Sequence, residues 1–212
     1  MKYPNIYFIN GNAYACKSTM VKLLAEKYNG ICCGENYQDI KLNELCKDEF
    51  PALTYTRDLK DWHDFIRRTP DEYEKWIKDV TKECTLIELE ILDELTKNDK
   101  LIFVDTNIPI AILKEISDYD HILIMLADPM IFVNRFFEKE DRDKQFLYKL
   151  LLEENDPDKA MENFRNCLKR INSIENYNMF YNSGFNVLLR DDSRSIDETV
   201  LLVETFFKLK EL

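Results

Sequence analysis

Residues 6–19 read Ile-Tyr-Phe-Ile-Asn-Gly-Asn-Ala-Tyr-Ala-Cys-Lys-Ser-Thr, and this stretch decides the fold. Its first four residues form a short apolar run of strong strand formers, which predicts a strand buried on both faces. A short loop follows, and residues 18–28 then repeat apolar side chains at helical spacing. A buried strand, a tight loop and a helix in immediate succession are typical of the first unit of a parallel α/β sheet.

Four further apolar runs alternate with helical segments in the same way. They are residues 31–33, 101–104, 122–126 and 185–189. Strands that are apolar on both faces and alternate with helices indicate a mainly parallel sheet, with helices on both faces and right-handed crossovers. In such sheets ligands bind beyond the carboxyl ends of the strands, so we expect the chemistry in the residues that follow each strand.

Capping signals predict where several helices begin. Residues 69–72 (Thr-Pro-Asp-Glu) and 195–198 read as capping boxes, and Asp156-Pro157 opens a further helix. The first box precedes an apolar stripe that steps by three or four residues: Tyr73, Trp76, Val80, Cys84, Ile87, Ile91 and Leu95. Residues 34–68 predict two shorter helices, broken near Pro51.

Composition limits the class of protein. A length of 212 residues favours one domain over 1–212, and 45% apolar with 33% charged residues allow a packed core. A net charge of −11 argues against broad binding to nucleic acid or to anionic membranes. The sequence shows neither a membrane-spanning run nor a signal peptide, and its six cysteines contain no CxxC pair. We therefore expect a cytoplasmic protein with no nucleic-acid and no membrane partner.

The loop between the first strand and the first helix matches most of the phosphate-loop motif Gly-x-x-x-x-Gly-Lys-[Ser/Thr]. Gly11, Lys17 and Ser18 occupy the first and the last two positions, while Cys16 stands where the motif has glycine. Such a loop presents backbone N–H groups, and the positive end of the following helix, to a phosphate. The predicted nucleotide-binding residues are Gly11, Asn12, Ala13, Tyr14, Ala15, Cys16, Lys17, Ser18 and Thr19.

Two of these side chains have predicted roles of their own. Lys17 would neutralise the β- and γ-phosphates, and the Ser18 hydroxyl would bind Mg²⁺, which accepts few protein ligands. The simpler alternative is an ordinary strand–helix turn with an incidental lysine.

Cys16 is either a tolerated substitution or a redox-sensitive thiol at a helix N-terminus.

With this variant Walker A loop at its start, the chain resembles the P-loop kinases related to nucleoside monophosphate kinases and shikimate kinase. The resemblance covers nearly the whole length in element order, although only the loop matches at the level of a motif. It implies a three-layer P-loop NTPase fold with a five-stranded parallel sheet in the order 2-3-1-4-5. It also implies ATP and Mg²⁺ as cosubstrates, an acceptor-binding helical segment at about 35–70 and an arginine-bearing lid at about 134–146.

The resemblance also assigns roles to residues beyond the loop. Asp105, at the end of the third apolar run, would hold Mg²⁺, and Glu35 would orient the acceptor or act as base. Arg135 and Arg142 would clamp the transferring phosphoryl group, and they share one helix face if the helix continues between them. The alternatives are a turn residue at Asp105, an exposed loop glutamate at Glu35 and arginines paired with their acidic neighbours.

Three arginines of the acceptor segment allow two interpretations. Arg57, Arg67 and Arg68 flank aromatic residues, which suits the binding of a ring and an anion. An amphipathic helix that packs on the core explains the same pattern, and we favour this interpretation.

These features together predict an ATP- and Mg²⁺-dependent kinase that transfers the γ-phosphoryl group to a small-molecule acceptor. Nucleosides, nucleotides and other small metabolites all remain possible acceptors. Thr106 follows Asp105 where motor-type ATPases usually carry glutamate, and the sequence has no Asn-Lys-x-Asp guanine motif. The alternative functions are a non-catalytic nucleotide-binding module and an NTPase switch.

Overall fold

The computed structural model describes residues 2–138 and 141–209. The strands in these ranges are β1 (Ile6–Gly11), β2 (Ile31–Cys33), β3 (Ile102–Asp105), β4 (Ile122–Leu126) and β5 (Asn186–Leu189). The α-helices are α1 (Lys17–Lys27), α2 (Tyr55–Asp58), α3 (His63–Ile66), α4 (Pro70–Leu95), α5 (Ile110–Ile116), α6 (Pro129–Arg135), α7 (Arg142–Leu152), α8 (Pro157–Ile171), α9 (Ile174–Tyr181) and α10 (Ile196–Phe206). Two 3₁₀ helices span Tyr37–Glu44 and Tyr119–His121. Within the described residues, no helix combines the length and apolarity needed to cross a bilayer.

The five strands form one parallel sheet in the order β2-β3-β1-β4-β5. The parallel direction was expected from the doubly apolar strands, and this order was implied by the resemblance to P-loop kinases; both are confirmed. Ile9 pairs with Asp105, and Gly11 pairs with Met125. The carboxyl ends of β1, β3 and β4 are therefore nearly level, and the loop after β1 lies between the ends of its two neighbours.

Helices cover both faces of the sheet, as the doubly apolar strands predict. Alternate residues of β1 point to opposite faces because side chains alternate along a strand. Tyr7 and Ile9 pack with residues of α1 and α10, including Leu24 and Val203. On the other face, Phe8 belongs to a second core formed with residues of α4, α5 and α9.

A third apolar cluster joins α3, α6, α7, α8 and the first turns of α4. Its buried members are Phe65, Ile66, Tyr73, Val133, Phe136, Leu147, Leu151, Phe164, Cys167 and Leu168. Phe65 comes from the predicted acceptor segment, whereas Phe136 comes from the predicted lid. The two segments therefore share one core, and we refer to it below as the joint cluster.

Helix starts follow the capping signals closely. Thr69 with Glu72 and Ser195 with Glu198 form complete capping boxes, and α4 ends at Leu95 as its stripe predicts. The prediction for residues 34–68 was wrong in detail. One 3₁₀ helix precedes Pro51 and two four-residue α-helices follow it, because the backbone turns extended at Leu59 and separates α2 from α3.

Substituting Gly11 tests how the first strand is packed. Its φ is +131°, and an added Cβ would stand 1.9 Å from the carbonyl oxygen of Met125. We expect Gly11→Ala to lower the free energy of unfolding by at least about 3 kcal/mol, since both backbones must shift. Urea denaturation measures the loss. Gly34→Ala is the control, because its Cβ would meet nothing within 4 Å. Equal losses in the two variants would contradict this packing.

Candidate functional site

The candidate site is the loop between β1 and α1 together with the strand ends around it. Tyr14 and Cys16 both adopt left-handed backbone conformations, with φ of 64° and 65°. A side chain in that region costs about 1–2 kcal/mol, so the surrounding structure must hold the loop in place.

Hydrogen bonds to two other strand ends hold this loop. The Asn12 side chain donates to the carbonyl of Ala127 over 2.7 Å and accepts from the backbone N–H of the same residue over 2.8 Å. Arg190, which follows β5, donates from Nη1 to the carbonyl of Tyr14 over 2.7 Å. The loop is therefore fixed to β4 through Asn12 and to the end of β5 through Arg190. Neither contact has a signature in the local sequence, because each joins residues more than a hundred positions apart.

The first turn of α1 is open to an anion. A helix leaves its first N–H groups without intrahelical partners, and a side-chain oxygen usually accepts from one of them. Cys16 precedes α1 and provides no such cap. Every other described α-helix of eight residues or more has one, from Thr69, Asp141, Asp156, Ser173 or Ser195. The positive end of α1 can therefore bind a negatively charged ligand.

Lys17, Ser18 and Asp105 meet beside this helix start, as the sequence analysis expects. The Ser18 hydroxyl donates to Oδ2 of Asp105 over 2.6 Å, and Nζ of Lys17 lies 3.7 Å from Oδ1. Nζ also donates to the carbonyl of Asn12 over 3.1 Å. Burial raises the pKa of Asp105, and the charge of Lys17 works against that shift. A hydroxyl and a carboxylate side by side fit the oxygen ligands of Mg²⁺, which keeps most of its water shell.

Two cavities are relevant to the candidate site. One, of about 220 Å³, lies between the start of α1, the end of β5 and the start of α10, and its walls include Thr19, Leu188 and Arg190. The other, of about 410 Å³, lies between the 3₁₀ helix Tyr37–Glu44, residues 52–56 and α4. We call the second the α4 cavity.

Two residues of the α4 cavity wall are close in the chain to Glu35 and Asp105. Asn36 and Asn107 line one part of it, and they stand beside Glu35 and two residues beyond Asp105 in the chain. Glu35 is exposed, and its charge adds to the upward shift of the pKa of Asp105. Glu35 therefore acts electrostatically on the cluster even though it makes no hydrogen bond to it in the described residues.

Glu88 is a buried carboxylate that the sequence analysis missed. It is 1% exposed, and its Oε2 accepts from the hydroxyls of Thr106, at 2.5 Å, and Tyr37, at 3.2 Å. Burial raises its pKa to about 7, with a smaller contribution from Asp105. The sequence does indicate this burial, because Glu88 stands four residues after Cys84 and therefore lies on the buried face of α4.

Arg135 and Arg142 do not share one helix. Helix α6 ends at Arg135, and α7 begins at Arg142 because the Asp141 carboxylate caps it, accepting from the N–H groups of residues 143 and 144. Arg135 is exposed and lies 3.8 Å from Glu138, while its carbonyl accepts from the Tyr14 hydroxyl over 2.9 Å. Arg142 is exposed at the start of α7. Residues 139 and 140 of the predicted lid lie outside the described residues.

The three arginines of the acceptor segment are engaged in packing and ion pairs. Arg57 donates to the carbonyls of residues 42 and 45 and pairs with Asp58. Arg67 pairs with Glu154, and the guanidinium of Arg68 lies over the Tyr55 ring at 4.1 Å. The aromatic residues of this segment pack on the joint cluster, as the amphipathic interpretation expects, but the single helix that it assumed is wrong, since α2 and α3 are separate short helices.

Comparison with protein-family models, with curated proteins and with solved structures gave no match.

The pH dependence of stability tests the environment of Glu88. Its folded pKa of about 7 exceeds the ordinary value of 4.5, so the native state binds this proton more tightly than the unfolded chain. The stability that it contributes is complete below pH 4.5 and is lost as the pH rises through 7. We expect the free energy of unfolding, relative to Glu88→Gln, to fall by about 3 kcal/mol between pH 4.5 and 8.

Urea denaturation across that pH range measures this difference. Glu90→Gln is the matched control, since Glu90 lies on the same helix with its side chain 58% exposed. The Glu90 variant should follow the wild type at every pH. A constant difference between wild type and Glu88→Gln would show that the carboxylate is not held protonated by burial.

Substitutions of Cys16 test the backbone strain at its left-handed conformation. We expect Cys16→Gly to be more stable than Cys16→Ala by about 1 kcal/mol, because glycine adopts the left-handed conformation without a Cβ penalty. Both variants lack the thiol, so their difference isolates the backbone term. Thermal or urea unfolding measures it, and a more stable alanine variant would contradict the left-handed geometry.

Proposed function

We propose that this chain is an ATP- and Mg²⁺-dependent kinase that transfers the γ-phosphoryl group to a hydroxyl of a small-molecule acceptor. One observation carries the proposal: an uncapped helix start, Lys17 and the Ser18–Asp105 pair meet at one edge of a parallel sheet. This combination provides N–H donors, a mobile cation and oxygen ligands within one small region. The six cysteines are free thiols, which suits the reducing cytoplasm that we propose as the location.

The polyphosphate would bind across the loop. Its oxygens would accept from the first N–H groups of α1, and Nζ of Lys17 would leave the Asn12 carbonyl to contact them. Ser18 and Asp105 would hold Mg²⁺, which neutralises charge on the phosphates. The 220 Å³ cavity beside the loop is the proposed site of the base, because it adjoins the same helix start and has apolar walls from Leu188 and Ile196.

The acceptor would bind in the α4 cavity. Its hydroxyl oxygen forms a bond to the γ-phosphorus while the bond from phosphorus to the β–γ bridging oxygen breaks. The products are the phosphorylated acceptor and ADP. The hydroxyl proton passes to the Glu35 carboxylate, and this step needs little base strength because positioning and charge stabilisation carry most of the catalysis.

The proposed lid residues would complete the charge balance. Arg142 makes no ion pair within the described residues, so its guanidinium is available to the phosphoryl group. The bond from the Tyr14 hydroxyl to the Arg135 carbonyl links the phosphate loop to the end of α6. Movement at the loop on nucleotide binding is thereby transmitted to the segment that carries both arginines.

The left-handed conformation of Cys16 keeps a second function open, a nucleotide-binding module without turnover. A side chain at this position stiffens and strains the loop where the motif has glycine. The NTPase switch is less well supported, because Thr106, where motor ATPases carry a water-activating glutamate, donates its hydroxyl to Glu88 instead.

Lys17→Ala tests the proposed phosphate site. We expect it to weaken ATP–Mg²⁺ binding about 10-fold or more and to lower phosphoryl transfer about 100-fold or more, since the variant loses the cation that faces the phosphates. Calorimetry measures binding, and ADP release over a panel of acceptors measures transfer. The protein should still unfold cooperatively.

Lys22→Ala is the matched control, because Lys22 lies one turn further along α1 with its side chain 71% exposed. It should leave binding and transfer unchanged. Tight binding of ATP without ADP release on any acceptor would favour the non-catalytic module. Phosphate release without an acceptor would favour the switch, and unchanged activity in Lys17→Ala would reject the site.

A further inference from the structure

The α4 cavity is lined by neutral hydrogen-bonding groups and one acid. The amides come from Asn36, Gln38 and Asn107, and hydroxyls come from Thr56 and Thr81. Its charged member is the Asp39 carboxylate, and no lysine or arginine stands among the described residues of the wall. These amides and hydroxyls can donate to and accept from an alcohol, but they offer no charge to an anion.

One further carboxylate lies next to the cavity wall, since the exposed Glu35 precedes Asn36 in the chain. Glu88 and Asp105 add little net negative charge, because burial raises the pKa of Glu88 to about 7 and Nζ of Lys17 lies 3.7 Å from Oδ1 of Asp105. Asp39 is an exposed residue, and partial burial of its carboxyl group raises its pKa. An anionic group placed here would approach the like charges of Asp39 and Glu35.

Three basic residues of the acceptor segment have contacts of their own and do not stand among the described residues of the cavity wall. Lys41 pairs with Glu90 over 2.6 Å, and Arg57 is held by two backbone carbonyls and by Asp58. The guanidinium of Arg68 lies over Tyr55 and over Trp76, at 4.1 and 5.0 Å from the ring centroids. A phosphate or carboxylate in the cavity would have to break the ion pair of Lys41 or the contacts of Arg57 to gain either side chain as a partner.

We infer that the acceptor carries no phosphate or carboxylate group and is an uncharged or cationic alcohol, such as a nucleoside or an amino sugar. The inference rests on the proposed kinase function, of which it names the acceptor class. It narrows the acceptors that the sequence leaves open, because it retains nucleosides and excludes nucleotides. A volume of about 410 Å³ suits one such molecule.

Matched acceptors that differ in one anionic group test the inference. Uridine is compared with uridine monophosphate, and glucosamine with glucosamine 6-phosphate, on the full chain saturated with ATP and Mg²⁺. ADP release reports transfer. Calorimetry with a non-hydrolysable ATP analogue reports acceptor binding without turnover. We expect at least one compound without an anionic group to exceed its phosphorylated partner about 10-fold or more in affinity and in kcat/KM.

Asp39→Asn separates charge from shape. It should raise the affinity for the anionic partner relative to that for uridine about 5-fold, because one repulsive charge is removed and the side chain keeps its size. Asp48→Asn is the control, since Asp48 is an exposed acid of the same segment that does not line the cavity. A purely structural role of Asp39 would weaken both ligands equally.

The outcomes distinguish this inference from the proposed function. Faster transfer to the monophosphate or the sugar phosphate would overturn the acceptor class and leave the kinase function standing. Selective binding of uridine or glucosamine without ADP release would support the selectivity of the cavity and reject the kinase function. No binding of either uncharged or cationic compound at 10 mM would count against the inference.

Discussion

The close approach of Gly11 to the Met125 carbonyl constrains the edge of the sheet where the candidate site lies. At this point two parallel strands leave no room for a Cβ, and the backbone of Gly11 has a φ that L side chains rarely adopt. The chain can therefore turn directly from β1 into the loop while Asn12 reaches the N–H and carbonyl of Ala127. The loop, the start of α1 and the cluster around Asp105 all take their positions from this packing.

Buried charge then determines the character of the site. Asp105 is nearly enclosed yet lies beside one lysine and one hydroxyl, whereas Glu88 is enclosed with hydroxyls alone. The Lys17 cation favours the charged form of Asp105, whereas burial favours the protonated form of Glu88 near neutral pH. Two carboxylates close together thus acquire different behaviour from their immediate neighbours.

Local patterns in the sequence were sufficient for the strands and the long helices. The strand order, which brings Asp105 beside Lys17 and Ser18, was implied only by the resemblance to P-loop kinases. Apolar runs and capping boxes act within a few residues, and the parallel order places strand ends together. Contacts that join distant residues had no such signal, as with Arg190 on the Tyr14 carbonyl. The helices of residues 34–68 were difficult to predict for a related reason, because these short helices are positioned by packing on α4. Glu88 was missed for a different reason. Its position on the apolar stripe of α4 is visible in the sequence and could have indicated a buried carboxylate.

The joint cluster has a mechanical consequence. Phe65 and Phe136 belong to one packed core, and Trp76, packed against that core, also forms part of the α4 cavity wall. Tightly packed side chains move as a unit, since separating them exposes apolar surface to water. A displacement of α7 would therefore be expected to move the Trp76 side of the α4 cavity with it. Ligands that contact α7 and the α4 cavity would then alter each other's affinity through this shared core, with no separate chain of hydrogen bonds between them.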